Sequence, residues 1–400
     1  MCLLHHIAGA FTQQPAELKE NIGPKAGDLI KRSFDEIDPA RLLDHHTHVA
    51  GIGKGTDAFV NPKMLSWRHP LHRLKFKVYL SAGAVTDVEN ADAQIVERLV
   101  RLITNIDGHG KHRLLAFDKN YGRDGAANLG KTEFYVPNEY VFALAKQHPD
   151  CFEPVISVNP YRSDALTELE RGARRGARMV KWLPNAMGID PADELCDPFY
   201  QKMKELGLIL LSHGGEEKAV EAEEDQRLGN PLLLRRALDH GVKVIVAHCA
   251  GLGDNEDLDS PHRKRVPNFD LFLRLMAEKR YEGLLFADIS AMTQCNRTGR
   301  PLTTILQRED LHERLVNGSD YPLPAINVLI RTSTLRKQGY ITSEERACLN
   351  EVYDYNPLLF DFVLKRTIKI PGTEKRLPAS IFMTNTALEA GLKPDGQSLI

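Results

Sequence analysis

Histidine and aspartate stand at four places where apolar runs of this chain end: Asp44-His45-His46-Thr47-His48, Ser212-His213, Ala247-His248 and Gly318-Ser319-Asp320. Imidazoles and a carboxylate delivered from the ends of different parallel strands form the donor set of a catalytic divalent-metal site. One such segment would say little. With 15 histidines in 400 residues, a chance His-x-His is about an even bet on composition alone. The weight lies in the recurrence of all four in strand context. Along the first strand Asp44, His46 and His48 share one parity, so they point to one face and the two histidines can chelate together. Asp44 then sits a layer below, placed to orient an imidazole, while His45 has the opposite parity and reads as structural.

These residues need strands to position them. Apolar runs predict eight, at 42–49, 113–117, 153–158, 178–183, 208–212, 243–247, 284–289 and 314–318. Continuous apolar character is the mark of strands covered on both faces. Helical patterns lie between them. The segment 197–206 places Phe199, Met203 and Leu206 on one stripe, and 231–240 does so with Leu234 and Leu238. Gly176, Gly207, Gly241 and Gly283 stand where a left-handed residue would end a helix. Thr342-Ser343-Glu344-Glu345 reads as a capping box, and Asn356-Pro357 as a break. Eight strands, each followed by a helix, predict an α/β fold of the (β/α)8 TIM-barrel class. A doubly wound sheet is the alternative, but no Gly-x-Gly-x-x-Gly follows a strand.

Three regions fall outside the alternation. Residues 1–40 form a polar N-terminal extension with a helix at 16–20 or 27–34. A long loop after strand one, 51–85, carries Trp67, Arg68, His69, His72, Arg73 and Lys75, and reads as a lid or substrate wall. The Pro- and Gly-containing tail, 369–400, reads as irregular, which leaves 41–368 for the barrel.

Composition agrees with a large globular enzyme. The apolar fraction of 42% supports a sizeable core, and a net charge of −2 points to neither nucleic acid nor an anionic membrane as partner. No run of about 18 apolar residues occurs. Residues 1–10 are too short and too histidine-rich for a signal peptide, and Cys2 reads as an ordinary cysteine. The six cysteines are widely separated with no Cys-x-x-Cys, so neither a disulfide framework nor a zinc knuckle is expected, and a cytoplasmic location is.

With Asp44-His45-His46-Thr47-His48, the strand-five and strand-six histidines, the strand-eight Asp320 and Val180-Lys181-Trp182-Leu183-Pro184-Asn185 in place, the chain resembles the amidohydrolase superfamily over about residues 42–365. The likeness is to the branch of amidohydrolase-related hydrolases and aminocarboxymuconate-semialdehyde-type decarboxylases. It implies that His46, His48, His213 and Asp320 bind one divalent ion, commonly zinc, with His248 beside the activated water or the substrate oxygen. The residue types fit independently: imidazoles and a carboxylate leave an open position where bound water reaches a pKa of about 7. Asp320 would move the proton, and His248 would steady the oxyanion.

Lys181 has two readings. In some superfamily members a carboxylated lysine at this strand end bridges two metals. In the branch this chain resembles, a lysine there holds a substrate carboxylate or an ion-pair partner. Asn185, Glu216 and Arg68 are the remaining candidate substrate contacts, with Glu217, Asp288, Ser290, His72 and Arg297 behind them. The expected activity is metal-dependent hydrolysis of an amide, lactone or ester in a small molecule. Non-oxidative decarboxylation of an unsaturated or aromatic acid is the alternative, and a non-catalytic binding barrel the third reading. A homo-oligomer is compatible with all three.

Overall fold

Each of the eight expected strands forms, and each is short, because only the stretch covered on both faces needs strand geometry. In this computed structural model they are β1 Leu43–His48, β2 Lys111–Leu115, β3 Phe152–Val155, β4 Met179–Trp182, β5 Ile209–Ser212, β6 Val244–Val246, β7 Leu285–Asp288 and β8 Leu315–Val316. The structure describes residues 7–9, 13–220 and 222–391, so Cys2, Pro394 and Gly396 lie outside the described residues. Two compact units divide the chain. The first takes the described residues of Met1–Gly55, Pro62–His112 and Ser290–Thr384, and the second those of Thr56–Asn61, Arg113–Ile289 and Asn385–Ile400.

In the second unit the parallel strands β4, β5, β6 and β7 pair in sequence order. Met179 faces Ile209, Leu210 faces Val244, and Val244 faces Leu285. Ile156, just past β3, bridges to Val180 in parallel, and the Ala116 N–H beyond β2 donates to Val155 O at 3.0 Å. Every residue of β4 to β7 is buried, which is why these strands read as apolar runs. The helix Asp197–Leu206 forms at its expected bounds. Its Phe199 and Tyr200 rings lie 5.3 and 5.7 Å from the Trp182 indole. Gly207 ends it at φ +69°, and the Leu208 N–H returns to Met203 O at 2.8 Å. A side chain at that φ would crowd the following carbonyl, so glycine is the cheapest stop. Gly176, Gly241 and Gly283 also take positive φ, whereas 231–240 divides into a 3-10 turn, Pro231–Leu234, and a short helix, Arg235–Asp239.

Within the described part of the tail, the helix Thr386–Glu389 buries Leu388. Lys243 Nζ donates to the carbonyls of Ala387, Leu388 and Ala390 at 2.6–2.9 Å. Glu389 receives the Arg113 guanidinium at 2.5 Å, and that guanidinium is only 3% exposed. Removing one member of a buried pair strands the other charge. Glu153, 3.3 Å from Arg113 Nε, offsets part of this loss. Glu389→Ala should therefore cost about 2–4 kcal/mol in urea unfolding, and a change below about 0.5 kcal/mol would mean that the pair does not hold the tail.

In the first unit β1 runs beside the β8 segment. Thr47 bridges to Tyr321 in parallel, the His45 N–H donates to Asn317 O at 2.9 Å, and the His48 N–H to Tyr321 O at 3.0 Å. The capping box of Thr342 and Glu345 opens the helix Ser343–Tyr355 as expected. Asn356 ends that helix and caps the next, Pro357–Thr367, by accepting from Leu358 N and Leu359 N at 3.1 Å. The N-terminal extension forms the turn Leu18–Asn21 and the helix Pro24–Ser33. Within 51–85, a helix Pro70–Ala82 stands where a loop was expected. Leu71 and Leu74 on it are exposed, so the apolar period that announces a helix is blurred. Among the described residues no helix is long and apolar enough to cross a membrane, and none of the five described cysteines forms a disulfide with another.

Candidate metal centre

The period of two along β1 puts His46 and His48 on one side of the strand, and their Nε2 atoms lie 3.1 Å apart. Asp320 reaches the same point from the turn after β8. Its Oδ1 is 3.5 Å from His46 Nε2 and 3.4 Å from His48 Nε2. To do so the backbone takes φ +57° at Asp320, the left-handed region, where aspartate is tolerated better than most side chains. The Asp320 N–H fixes that turn by donating to His46 O at 2.7 Å. Ser290 Oγ lies 3.3 Å from His46 Nδ1, which leaves Nε2 to face the carboxylate.

This donor set suits a small divalent ion. Bonds of about 2.0–2.2 Å in a tetrahedron put neighbouring donors about 3.3–3.6 Å apart. The separations of 3.1, 3.5 and 3.4 Å lie on or just inside that edge. His46 is buried, whereas the His48 side chain is 24% exposed, so the trio opens on one side. Two imidazoles and a carboxylate leave room for further ligands.

Asp44 braces the trio from the main-chain side, away from its donor atoms. Its Oδ1 accepts the His46 N–H at 2.9 Å and the Ser319 N–H at 3.0 Å, which ties β1 to the turn that carries Asp320. Its Oδ2 lies 3.3 Å from His112 Nδ1, so the imidazole it orients is His112. Burial pushes Asp44 up, but the hydrogen bond and charge of His112, with the Ser319 and His46 donors, hold it well below the carboxylate range. Asp361 goes the other way. Burial pushes it up to about 6 against the pull of Lys365, and the charges of Asp44 and Asp320 add to the rise.

The two carboxylates predict opposite pH effects on stability. Stability from Asp44 is present above its unfolded pKa and is lost as pH falls through its depressed folded value. Stability from Asp361 is full below the ordinary 3.8 and is lost as pH rises through about 6. In chelator-treated protein, Asp361→Asn should flatten the fall in urea midpoint between about pH 4 and 6, apart from a uniform loss. A wild-type slope in the variant would remove Asp361 from that titration.

The second unit carries the other two histidines. His213 follows β5 and His248 follows β6, with ring centroids 5.2 Å apart. Glu217 Oε2 lies 3.4 Å from His213 Nδ1 and so orients that ring. The His248 N–H donates to Asp288 Oδ1 at 2.9 Å, and His248, Cys249 and Ala250 all have φ near +50°. A carboxylate with no exposed surface thus holds a strained left-handed turn behind His248.

Of the remaining candidates, Lys181 is buried in β4, where the Ser157 hydroxyl donates to its carbonyl at 2.8 Å. Asn185 is buried, and its amide donates to Gly215 O and Gln226 Oε1 at 3.3 and 3.1 Å, clamping the loop after His213. Glu216 is half-exposed beside Lys218, at 3.3 Å. Arg68, in the first unit, is exposed just before the helix Pro70–Ala82. Glu217, Asp288 and Ser290, also among the candidate substrate contacts, lie against His213, His248 and His46 respectively. His112 escaped sequence reading because β2 begins two residues earlier than its apolar run. The His213–Glu217 spacing of four was the one legible sign of that pair.

With the geometry in place, comparison with known proteins adds a fold and a lineage. Residues 116–325, just over half of the chain, match the family described as amidohydrolase. Among solved structures, the manganese-bound 5-carboxyvanillate decarboxylase of Novosphingobium aromaticivorans aligns at 13% identity over 88% of this chain and 97% of its own, with a TM-score of 0.51. An uncharacterized TIM-barrel protein of Bordetella bronchiseptica aligns at 15% identity over 70% and 86%, with a TM-score of 0.45. The 4-oxalomesaconate hydratase of Rhodopseudomonas palustris aligns at 15% over 76% and 92%, with a TM-score of 0.40. No curated protein matches the chain. The first of these likenesses shows a shared fold.

Proposed function

The chain belongs to the amidohydrolase family of (β/α)8-barrel enzymes, and on that premise we propose that it is a metal-dependent hydrolase cleaving an amide, lactone or ester in a small molecule. The observation that carries this reading is the trio His46, His48 and Asp320, with donor atoms 3.1–3.5 Å apart. In this reading they hold one divalent ion, zinc by donor type, and His213 is a further ligand on the strength of its motif. Bound there, the ion supplies Lewis acidity toward water and toward a substrate oxygen.

The chain's own groups do the rest. Asp320 takes a proton from the attacking water and passes it to the leaving group. His248, held by Asp288, hydrogen-bonds the substrate oxygen as charge develops on it. Glu217 keeps one imidazole nitrogen of His213 engaged so that the other is presented. Lys181, Asn185, Glu216 and Arg68 are the substrate contacts of this reading. The setting in this reading is cytoplasmic.

The test is product analysis in 18O-labelled water across a panel of amides, lactones, esters and unsaturated or aromatic acids. Hydrolysis places one label in the product carboxyl group and releases no carbon dioxide. Release of carbon dioxide with a proton gained at carbon would replace hydrolysis by decarboxylation at the same centre.

A further inference from the structure

The turn that carries Asp320 is held from behind by a buried charge pair that the proposed chemistry does not use. Strand β8 ends at Val316, and the chain must then climb to a left-handed Asp320 within four residues. Three of those residues have backbone anchors already described, at Asn317, Ser319 and Asp320. The fourth, Gly318, is anchored through its carbonyl, to which Lys365 Nζ donates at 2.7 Å. The same ammonium donates to Asp361 Oδ2 at 2.5 Å, one helical turn earlier on Pro357–Thr367. The Lys365 side chain is 1% exposed and that of Asp361 4%.

A lysine this deep is costly unless paired. Lys365 spends one of its three donors on a single main-chain oxygen two residues from a proposed metal ligand. Around the Cα of the same residue there is no slack, since a Cβ at Gly318 would lie 2.7 Å from His46 Cβ. Gly318 is thus held by Lys365 at its carbonyl and crowded by His46 at its Cα.

We propose that Lys365, neutralised by Asp361, is a positioning residue for Asp320: by fixing the Gly318 carbonyl it sets the turn that aims the Asp320 carboxylate at His46 and His48. The inference rests on the reading of Asp320 as a metal ligand. Its consequence is that metal affinity depends on a charge on a helix some 45 residues downstream, whose side chain contacts none of the ligands' donor atoms.

The test is a cobalt(II) titration of the full chain, followed by visible absorption, for wild type, Lys365→Met, His46→Ala and Glu389→Ala. Outer contacts that orient ligands typically change metal affinity 10- to 100-fold. Lys365→Met should keep one site but weaken cobalt binding about 10- to 100-fold, with a changed ligand-field band. Glu389→Ala, which destabilises without touching this turn, should bind with wild-type affinity and spectrum. Should Lys365→Met fail to fold, the double variant Asp361→Asn/Lys365→Met removes both charges together and is read in the same way. Wild-type affinity and spectrum in the Lys365 variants would overturn the positioning role. Cobalt binding that survives His46→Ala, or is absent from wild type, would instead remove the metal reading beneath it.

Discussion

Asp320→Asn should lower kcat by about 10^3- to 10^4-fold and weaken metal binding, while leaving the fold intact. Asparagine keeps the volume of aspartate and tolerates the left-handed φ of +57° at this position, so the turn survives the substitution. What changes is chemical. A carboxylate oxygen 3.5 and 3.4 Å from two imidazole nitrogens becomes half of a neutral amide. The site loses an anionic ligand and the group that moves the proton, and loss of a positioned general base alone costs about 10^2- to 10^4-fold. Circular dichroism should be unchanged and metal content reduced. If turnover toward every accepted substrate stays within threefold of wild type, Asp320 is not at the reacting centre.

Gly318→Ala should also damage the site, by contact alone. The backbone at Gly318 is outside the left-handed region, so alanine meets no dihedral penalty there. Its Cβ would instead sit 2.7 Å from His46 Cβ and 3.4 Å from both His46 N and Ser290 Cβ. Both sides of the clash are backbone-anchored, so β1 and the turn must move apart. Overpacking of this kind costs about 1–3 kcal/mol. The displacement is applied at the Cβ of a metal ligand, and the expected loss of metal affinity is at least about tenfold. Unfolding by urea and metal titration on one preparation read the two effects separately. An alanine variant with wild-type stability and affinity would show that the β1–β8 contact is looser than these distances state.

Much of this architecture was legible in the residues because strands covered on both faces must be apolar throughout, and turns need particular residues. The β4 to β7 segments and the capping box of Thr342 and Glu345 appear where their patterns place them. The pair His46 and His48 was legible for a similar reason, since parity alone puts them on one face, whereas Asp320 entered through the family resemblance. What escaped was the bracing. His112 lay just outside its apolar run, and Glu217 sat in a loop where acids are usually solvated. Lys365 and Asp361 show only an ordinary spacing of four on a helix, and nothing in that spacing says they face inward to a carbonyl at Gly318. Contacts between segments far apart in the chain leave no periodic trace.

The central claim is that His46, His48 and Asp320 hold a divalent ion, and metal content tests it most directly. Elemental analysis of protein purified without added metal or chelator should give about one equivalent of zinc, manganese or iron per chain, and His46→Ala should abolish it. About two equivalents would make carboxylated Lys181 a bridging ligand and the centre binuclear. Near-zero metal that no added divalent ion restores would contradict the account and leave a barrel whose clustered histidines serve something other than metal chemistry.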